Sequence, residues 1–166
     1  MKKIFFILLL ICMAVIGEAQ TRKVARRSMI ELGPKTSLYL GSLRFGFGAE
    51  LLVNPLQNAA LRVNLTELSF GDGGTRFHFN LRDISIDGIL YLPMQGIEPY
   101  AFLGLGVAAN GSTDVDFRGG MGLNFPITRG TNVFIEPGAI ISYDSYSEET
   151  DIWFRLSLGG RFALIR

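Results

Sequence analysis

The chain has 166 residues, enough for one domain, and its 16 basic and 15 acidic residues leave a net charge of +1. A balance this close to neutral excludes the broad basic surface of a nucleic-acid binder and points to no acidic partner. Twenty glycines, thirteen phenylalanines and short, punctuated apolar runs favour an all-β chain, and a single cysteine, Cys12, excludes a disulfide framework.

The amino end has the three parts of a secretory signal peptide: Lys2 and Lys3, an apolar run over residues 4–17, then Glu18-Ala19. Residues 1–19 are therefore expected to be removed after Ala19. At fourteen residues the run is shorter than the roughly 20 needed to cross a bilayer as a helix. Cys12 lies inside it, and Ile11 stands where a lipoprotein signal wants a small residue. The exported chain then has no thiol for disulfides or for cysteine-bound metal. Residues 20–27 follow as a basic periplasmic leader carrying Arg22, Lys23, Arg26 and Arg27.

From Ser28 to Arg166 the chain reads as period-two segments, as strands with two unlike faces do. In the first, Ile30, Leu32, Thr36, Leu38 and Leu40 share a face with Pro34. The second sets Phe45, Phe47, Ala49, Leu51 and Val53 against Arg44, Gly46, Gly48 and Glu50. The third begins in phase at Leu61, Val63 and Leu65 and then slips to Leu68 and Phe70, which predicts a bulge. The fourth, residues 77–92, also slips, from Phe77, Phe79 and Leu81 to Ile84, Ile86, Leu90 and Leu92, as an extended hairpin would. Ala101, Leu103, Leu105 and Val107 mark the fifth. The sixth alternates most cleanly, with Val115, Phe117, Gly119, Met121, Leu123, Phe125 and Ile127 against Asp116, Arg118, Gly120, Gly122 and Asn124. Val133, Ile135, Ala139, Ile141 and Tyr143 mark the seventh. The eighth sets Ile152, Phe154, Leu156, Leu158, Phe162 and Leu164 against Trp153, Arg155, Ser157, Gly159 and Arg161.

Eight antiparallel segments with one oily face could close around a soluble core or face lipid, and the other face discriminates. A soluble barrel would show bulk water many long charged side chains. Here that face is rich in glycine, with isolated charges at Arg44, Glu50, Asp87, Asp116, Arg118, Glu136, Arg155 and Arg161. This suits a narrow interior in which charges must pair. The expectation is an eight-stranded antiparallel up-and-down transmembrane β-barrel. Its lumen would be plugged by Glu50, Asp116 and Glu136 pairing with Arg44, Arg118, Arg155 and Arg161. Tyr39, Tyr91, Tyr100, Tyr143, Tyr146 and Trp153, several of them near strand ends, fit interfacial girdles.

The segment Pro99-Tyr100-Ala101-Phe102-Leu103-Gly104-Leu105-Gly106-Val107, the run Gly119-Gly120-Met121-Gly122 and the close Ser157-Leu158-Gly159-Gly160-Arg161-Phe162-Ala163-Leu164 resemble the small outer-membrane β-barrel family of the OmpA, OmpX and OmpW type. The resemblance covers residues 28–166. It implies an outer-membrane location, contact with outer-membrane lipid, and a terminal signal for the outer-membrane assembly machinery at Ser157, Gly159, Phe162 and Leu164. The chain departs from the family in running on to Ile165-Arg166 where an aromatic residue usually ends it. The resemblance is nearly silent on activity, since the fold hosts adhesins, pores, enzymes and passive barrels.

No cofactor is expected. His78 is the only histidine, and although Ser69, Asp83 and Ser85 lie near it in sequence, Asn80 stands where a lipid A deacylase of this architecture would offer serine. Asp144, Glu148, Glu149 and Asp151 could hold calcium with oxygen ligands, but a solvated acidic loop over residues 144–151 is the simpler reading. The leading expectation is a structural or cell-surface role without enzymatic activity. Its alternatives are a narrow channel or carrier for small hydrophobic molecules, a secreted soluble barrel binding an apolar ligand, and a lipid A-modifying enzyme.

Overall fold

The computed structural model describes residues 28–40, 44–65, 68–70, 84–92, 94, 96–109, 113–144 and 150–165. The expected signal peptide and leader, His78 and most of the acidic loop lie outside the described residues. The strands are β1 (Ile30–Leu40), β2 (Arg44–Val53), β3 (Ala59–Asn64), β4 (Leu68–Phe70), β5 (Ile84–Tyr91), β6 (Glu98–Ala109), β7 (Thr113–Thr128), β8 (Thr131–Asp144) and β9 (Thr150–Ile165).

Every pairing is antiparallel, and β1 pairs with both β2 and β9, so the sheet closes on itself. β3 and β4 both pair with β2 and together form one stave, which gives eight staves in up-and-down order. The expected fold is the observed one. Between Glu50↔Asn64 and Phe47↔Leu68 the register on β2 advances by one residue, which is the bulge that the slip after Leu65 predicts. Of the fourth segment, Ile84 to Tyr91 is a strand, with Ile84, Ile86 and Leu90 outward as read, while Phe77, Phe79 and Leu81 lie outside the described residues.

The closure fixes the barrel's shape. From Ile30 the register runs through Val53, Leu61, Gly88, Leu103, Gly119, Ala139 and Phe154, and returns to β1 at Leu40, ten residues further on. With about 3.3 Å per residue and about 4.8 Å between strands, that stagger tilts the strands by about 40°. The backbone cylinder then has a radius of about 8 Å, room for side chains and little else. Both ends of the described chain lie at the end where the connections after β2, β5 and β7 turn, here called the turn side. The other end is the loop side.

Alternation puts two different chemistries on the two faces. Leu103, Met121, Ile127, Ile152, Phe154 and Phe45 are all more than half exposed, and Leu103 reaches 76%. Among the described residues no charged side chain occupies an outward strand position. Along β1 this uncharged face rises about 25 Å, using the same rise and tilt. Inward lie Lys35, Arg44, Arg62, Arg118, Arg155 and Arg161 together with Glu31, Glu50, Asp87, Glu98, Asp116 and Glu136. The interior also holds a small apolar cluster of Leu52, Ala60, Ile89, Tyr91, Tyr100 and Phe102, with Phe134 and Ile140 buried apart from it.

Inward aromatic rings lie on glycines of neighbouring strands. Tyr100 covers Gly122, Phe102 covers Gly120 and Gly138, and Phe134 covers Gly159; at Gly122 and Gly120 a Cβ would overlap the ring. Glycine there is demanded by this close approach, and the ring fills the volume that the missing side chain leaves.

Candidate functional site: a charged lumen

Arg62 stands at the centre. On β3 it lies between outward Leu61 and Val63, so the pleat sends its side chain into the lumen, where it is wholly buried. Its Nε donates to Asp87 Oδ2 at 2.8 Å, and Nη2 lies 2.7 Å from the same oxygen. Its Nη1 lies 3.3 Å from Glu50 Oε2 and also donates to Glu136 Oε2. One guanidinium thus joins carboxylates from β2, β5 and β8. Its planar fork suits this role better than a lysine point charge would.

A second guanidinium, Arg161 of β9, extends the cluster. Its Nε donates to Glu50 Oε1 at 2.6 Å, and Nη1 and Nη2 lie 3.5 and 3.3 Å from the hydroxyls of Tyr91 and Tyr100. The cation stacks between rings, 4.2 Å from the Phe134 centroid and 5.1 Å from that of Tyr100, while Arg62 lies 4.7 Å from Phe102. Tyr100 in turn donates its hydroxyl to Glu136 Oε2 at 2.8 Å. Lys35 donates to Asn64 Oδ1 at 2.8 Å, and Asn64 Nδ2 donates to Asp87 and to Ser85, each at 2.7 Å. Charges with ordered, oppositely charged partners can be held out of water at a cost that isolated charges could not meet.

The residues marked from sequence divide into three groups. Glu50, Glu136 and Arg161 enter the central cluster, and Arg155 joins it with Nη2 3.5 Å from Glu136 Oε1. Arg118 lies nearer the loop side with Nη2 3.3 Å from Asp116 Oδ2, two residues along its own strand. Arg44 sits at the loop-side end, its guanidinium 4.7 Å from the Trp153 ring and 6.0 Å from that of Tyr39.

The central residue, Arg62, was missing from the expected set, although its signal was present. Leu61, Val63 and Leu65 are the outward phase, so Arg62 and Asn64 must face in. Asp87 is legible as an inward charge, but only the β3–β5 register, which sets it opposite Arg62, supplies its partner. The girdle reading fails for Tyr91 and Tyr100. They are 1% and 2% exposed, their rings 5.4 Å apart within the lumen, because they share the inward phase of Asp87 and Gly104. Tyr143 does face outward.

Of the terminal motif, Phe162 and Leu164 point outward, whereas Ser157 is buried with its Oγ 3.0 Å from that of Ser37 and Gly159 accommodates the Phe134 ring. Among the described residues no three His, Cys, Asp or Glu side chains are grouped to hold a metal ion.

An uncharged outside around a salt-bridged inside invites comparison with barrels of known surroundings. One solved structure from the de novo design of transmembrane β-barrels superimposes with a TM-score of 0.57 at 9% identity, over 82% of this chain and 96% of its own. The fold is shared with barrels that span membranes. Neisserial surface protein A superimposes with a TM-score of 0.53 at 13% identity, over 81% of this chain and 96% of its own. No family model and no curated protein matches the sequence. At these identities the likeness concerns the fold, and the lumen's chemistry is argued from this chain's own residues.

Proposed function

We propose that the protein is an exported outer-membrane β-barrel with a structural or cell-surface role, its lumen plugged by the charge cluster around Arg62. The observation that carries this reading is the division of faces: uncharged and apolar outside, charged and paired inside. A soluble barrel would leave Leu103, Phe45, Phe154 and their neighbours in water, a continuous apolar wall that soluble monomers do not carry. In a bilayer the same wall meets acyl chains, and closure of the sheet satisfies every strand edge, as lipid requires. The partners on this reading are outer-membrane lipid and the outer-membrane assembly machinery, with the alternating Phe162 and Leu164 as part of the terminal signal and residues 1–19 as the export signal.

Against a conducting role stands the filling of the cross-section. An eight-stranded cylinder of about 8 Å radius leaves little beyond its side chains. Arg62, Arg161, Tyr91, Tyr100, Phe102 and Phe134 occupy that space together. The test is fractionation with the outer membrane and a heat-dependent shift in gel mobility. Recovery as a soluble monomer without detergent would overturn the reading. Steady ohmic conductance in planar bilayers from the unmodified protein would replace the plug with a pore.

A further inference from the structure

We propose that the β8–β9 hairpin is a panel of the barrel wall that opens as one unit, latched from inside the lumen by Glu136 and Arg161.

The panel's own ladder is unbroken, while the seam on each of its sides is interrupted. β8 and β9 pair through thirteen consecutive positions, from Thr131↔Phe162 to Tyr143↔Thr150. On the β7 side, pairing stops after Gly120↔Gly138 and resumes at Leu123↔Ile135, skipping Pro137. On the β1 side it stops after Leu32↔Phe162 and resumes at Lys35↔Gly159, skipping Pro34. Proline has no N–H to give a ladder. Pro34 keeps its pairing with Ala49 of β2, and Pro137 keeps its pairing with Leu156 of β9, so the absent donors are those that would face β9 and β7. Among the described residues the β1–β2, β3–β5, β5–β6 and β6–β7 ladders run without such a gap.

The two gaps stand at one level. With the strand tilt and spacing of this barrel, Pro34 and Pro137 lie within about 4 Å of the same height, near the middle of a wall about 25 Å tall. Glycine borders both. A Cβ on Gly33 would lie 2.5 Å from the Gly160 carbonyl oxygen, and one on Gly120 would lie 2.5 Å from that of Pro137, so these backbones approach too closely for a side chain. A sheet separates most readily where ladder bonds are already missing, and local opening is drawn from such weak seams.

From the lumen, the panel is fastened to strands with which it never pairs. Glu136 of β8 accepts from Arg62 of β3, and from the Tyr100 hydroxyl of β6 at 2.8 Å. Arg161 of β9 donates to Glu50 of β2 at 2.6 Å. The panel thus reaches across the lumen with one anion and one cation, and swinging it out parts both ion pairs together. Phe102 of β6 covers Gly120 and Gly138, so its ring bridges the β7–β8 seam beside the gap.

The test is hydrogen exchange of the refolded barrel in nonionic micelles, read for the amides of each seam separately. The β7–β8 and β1–β9 seams exchange at a shared rate, at least about tenfold faster than the β5–β6 seam, which is the net worth of the two absent hydrogen bonds. Pro34→Ala and Pro137→Ala each return one donor, and each slows both seams about three- to tenfold relative to β5–β6. Unity of the panel is read from a staple. In a Cys12→Ser background, Ser37→Cys is joined to Ser157→Cys, whose parent hydroxyl oxygens are 3.0 Å apart across β1 and β9. Oxidation slows the β7–β8 seam as well as its own, and reduction restores both. Glu136→Gln releases the latch and speeds both seams more than β5–β6. The proposal is overturned if neither seam exchanges faster than β5–β6, or if the alanine variants leave both rates unchanged. It is also overturned if the staple slows β1–β9 alone, which would make the two gaps independent.

Discussion

Replacing Arg62 with Met removes the shared cation and keeps much of the side-chain volume, so the perturbation is electrostatic more than steric. Three buried carboxylates lose their common partner. Asp87 keeps Asn64, Glu50 keeps Arg161, and Glu136 keeps Arg155 and the Tyr100 hydroxyl. Removing one member of a buried ion pair costs about 3–5 kcal/mol, because the remaining charge is left out of water. The surviving partners hold the loss from Arg62→Met within that range despite three acceptors. With a urea slope of about 2 kcal/mol per molar for a small domain, the midpoint falls by about 2 M. The assay is urea unfolding in detergent micelles or lipid vesicles, followed by the fluorescence of the only tryptophan, Trp153, which stands well away from the substitution. Arg118→Met is the internal control: its contact at 3.3 Å is to Asp116, a slightly exposed carboxylate outside the cluster around Arg62, and it should cost less. A loss below about 1 kcal/mol for Arg62→Met, or a larger loss for Arg118→Met, would refute the view that the cluster around Arg62 is the barrel's interior support.

Other outcomes follow from the same geometry. Leu103→Lys places a charge on the outward face near mid-height and should cost about 2–4 kcal/mol in bilayers, whereas a water-facing position would tolerate it within about 0.5 kcal/mol; vesicle refolding titrations read the difference. Gly122→Val drives a side chain into the Tyr100 ring and should cost about 1–3 kcal/mol while lowering the folded fraction on heat-modifiability gels, with Gly88→Val, outward and open, much milder. The double variant Arg62→Met/Glu136→Gln should lose about 1–3 kcal/mol less than the sum of its single variants, since the two side chains share one contact. Replacing His78 should leave lipid A unchanged on mass spectra, because on the proposed reading no deacylase chemistry depends on it.

The fold was legible because period-two alternation survives without help from distant residues. Val115 to Ile127 reads correctly over its whole length, and even the slip between Leu65 and Leu68 marks a real change of register. The cluster was only half legible, for a physical reason. Alternation decides which face a residue joins, but pairing across a lumen depends on register around the whole circumference, and that is set by turns and bulges rather than by any local pattern. Arg161 and Glu50 are 111 positions apart in sequence and meet only because β1, between their strands, closes the sheet. Arg62 could have been found from its flanking leucine and valine. Its choice of three acids could not. The tyrosines near strand ends misled because proximity to an end says nothing about face, whereas the parity shared by Tyr91 with Asp87 does.

The interior ion pairs also guard the register. Arg62 stands directly opposite Asp87 on the β3–β5 pair, and Glu50 stands opposite Asn64 on β2–β3. Were β3 to slip by one residue against both neighbours, Arg62 would turn to the outward face, which on the proposed reading meets lipid, and Leu61 and Val63 would enter the lumen. A guanidinium on the lipid face near mid-membrane costs about 2–4 kcal/mol. The three orphaned carboxylates would add the penalty estimated for Arg62→Met. A two-residue slip restores the faces but moves Arg62 about 7 Å along its strand, beyond reach of Glu50 and Glu136 together. On the proposed reading the bilayer solvates every apolar outward position about equally well, so the outside of this barrel discriminates faces but not registers. The even slips are therefore rejected from within, by the geometry of one guanidinium and three acids. On this view the cluster is retained for the uniqueness of the fold as much as for closing the lumen. A barrel with Arg62, Glu50, Asp87 and Glu136 replaced together by apolar residues of similar size should then remain folded yet show more than one register by cross-strand disulfide mapping between β3 and β5.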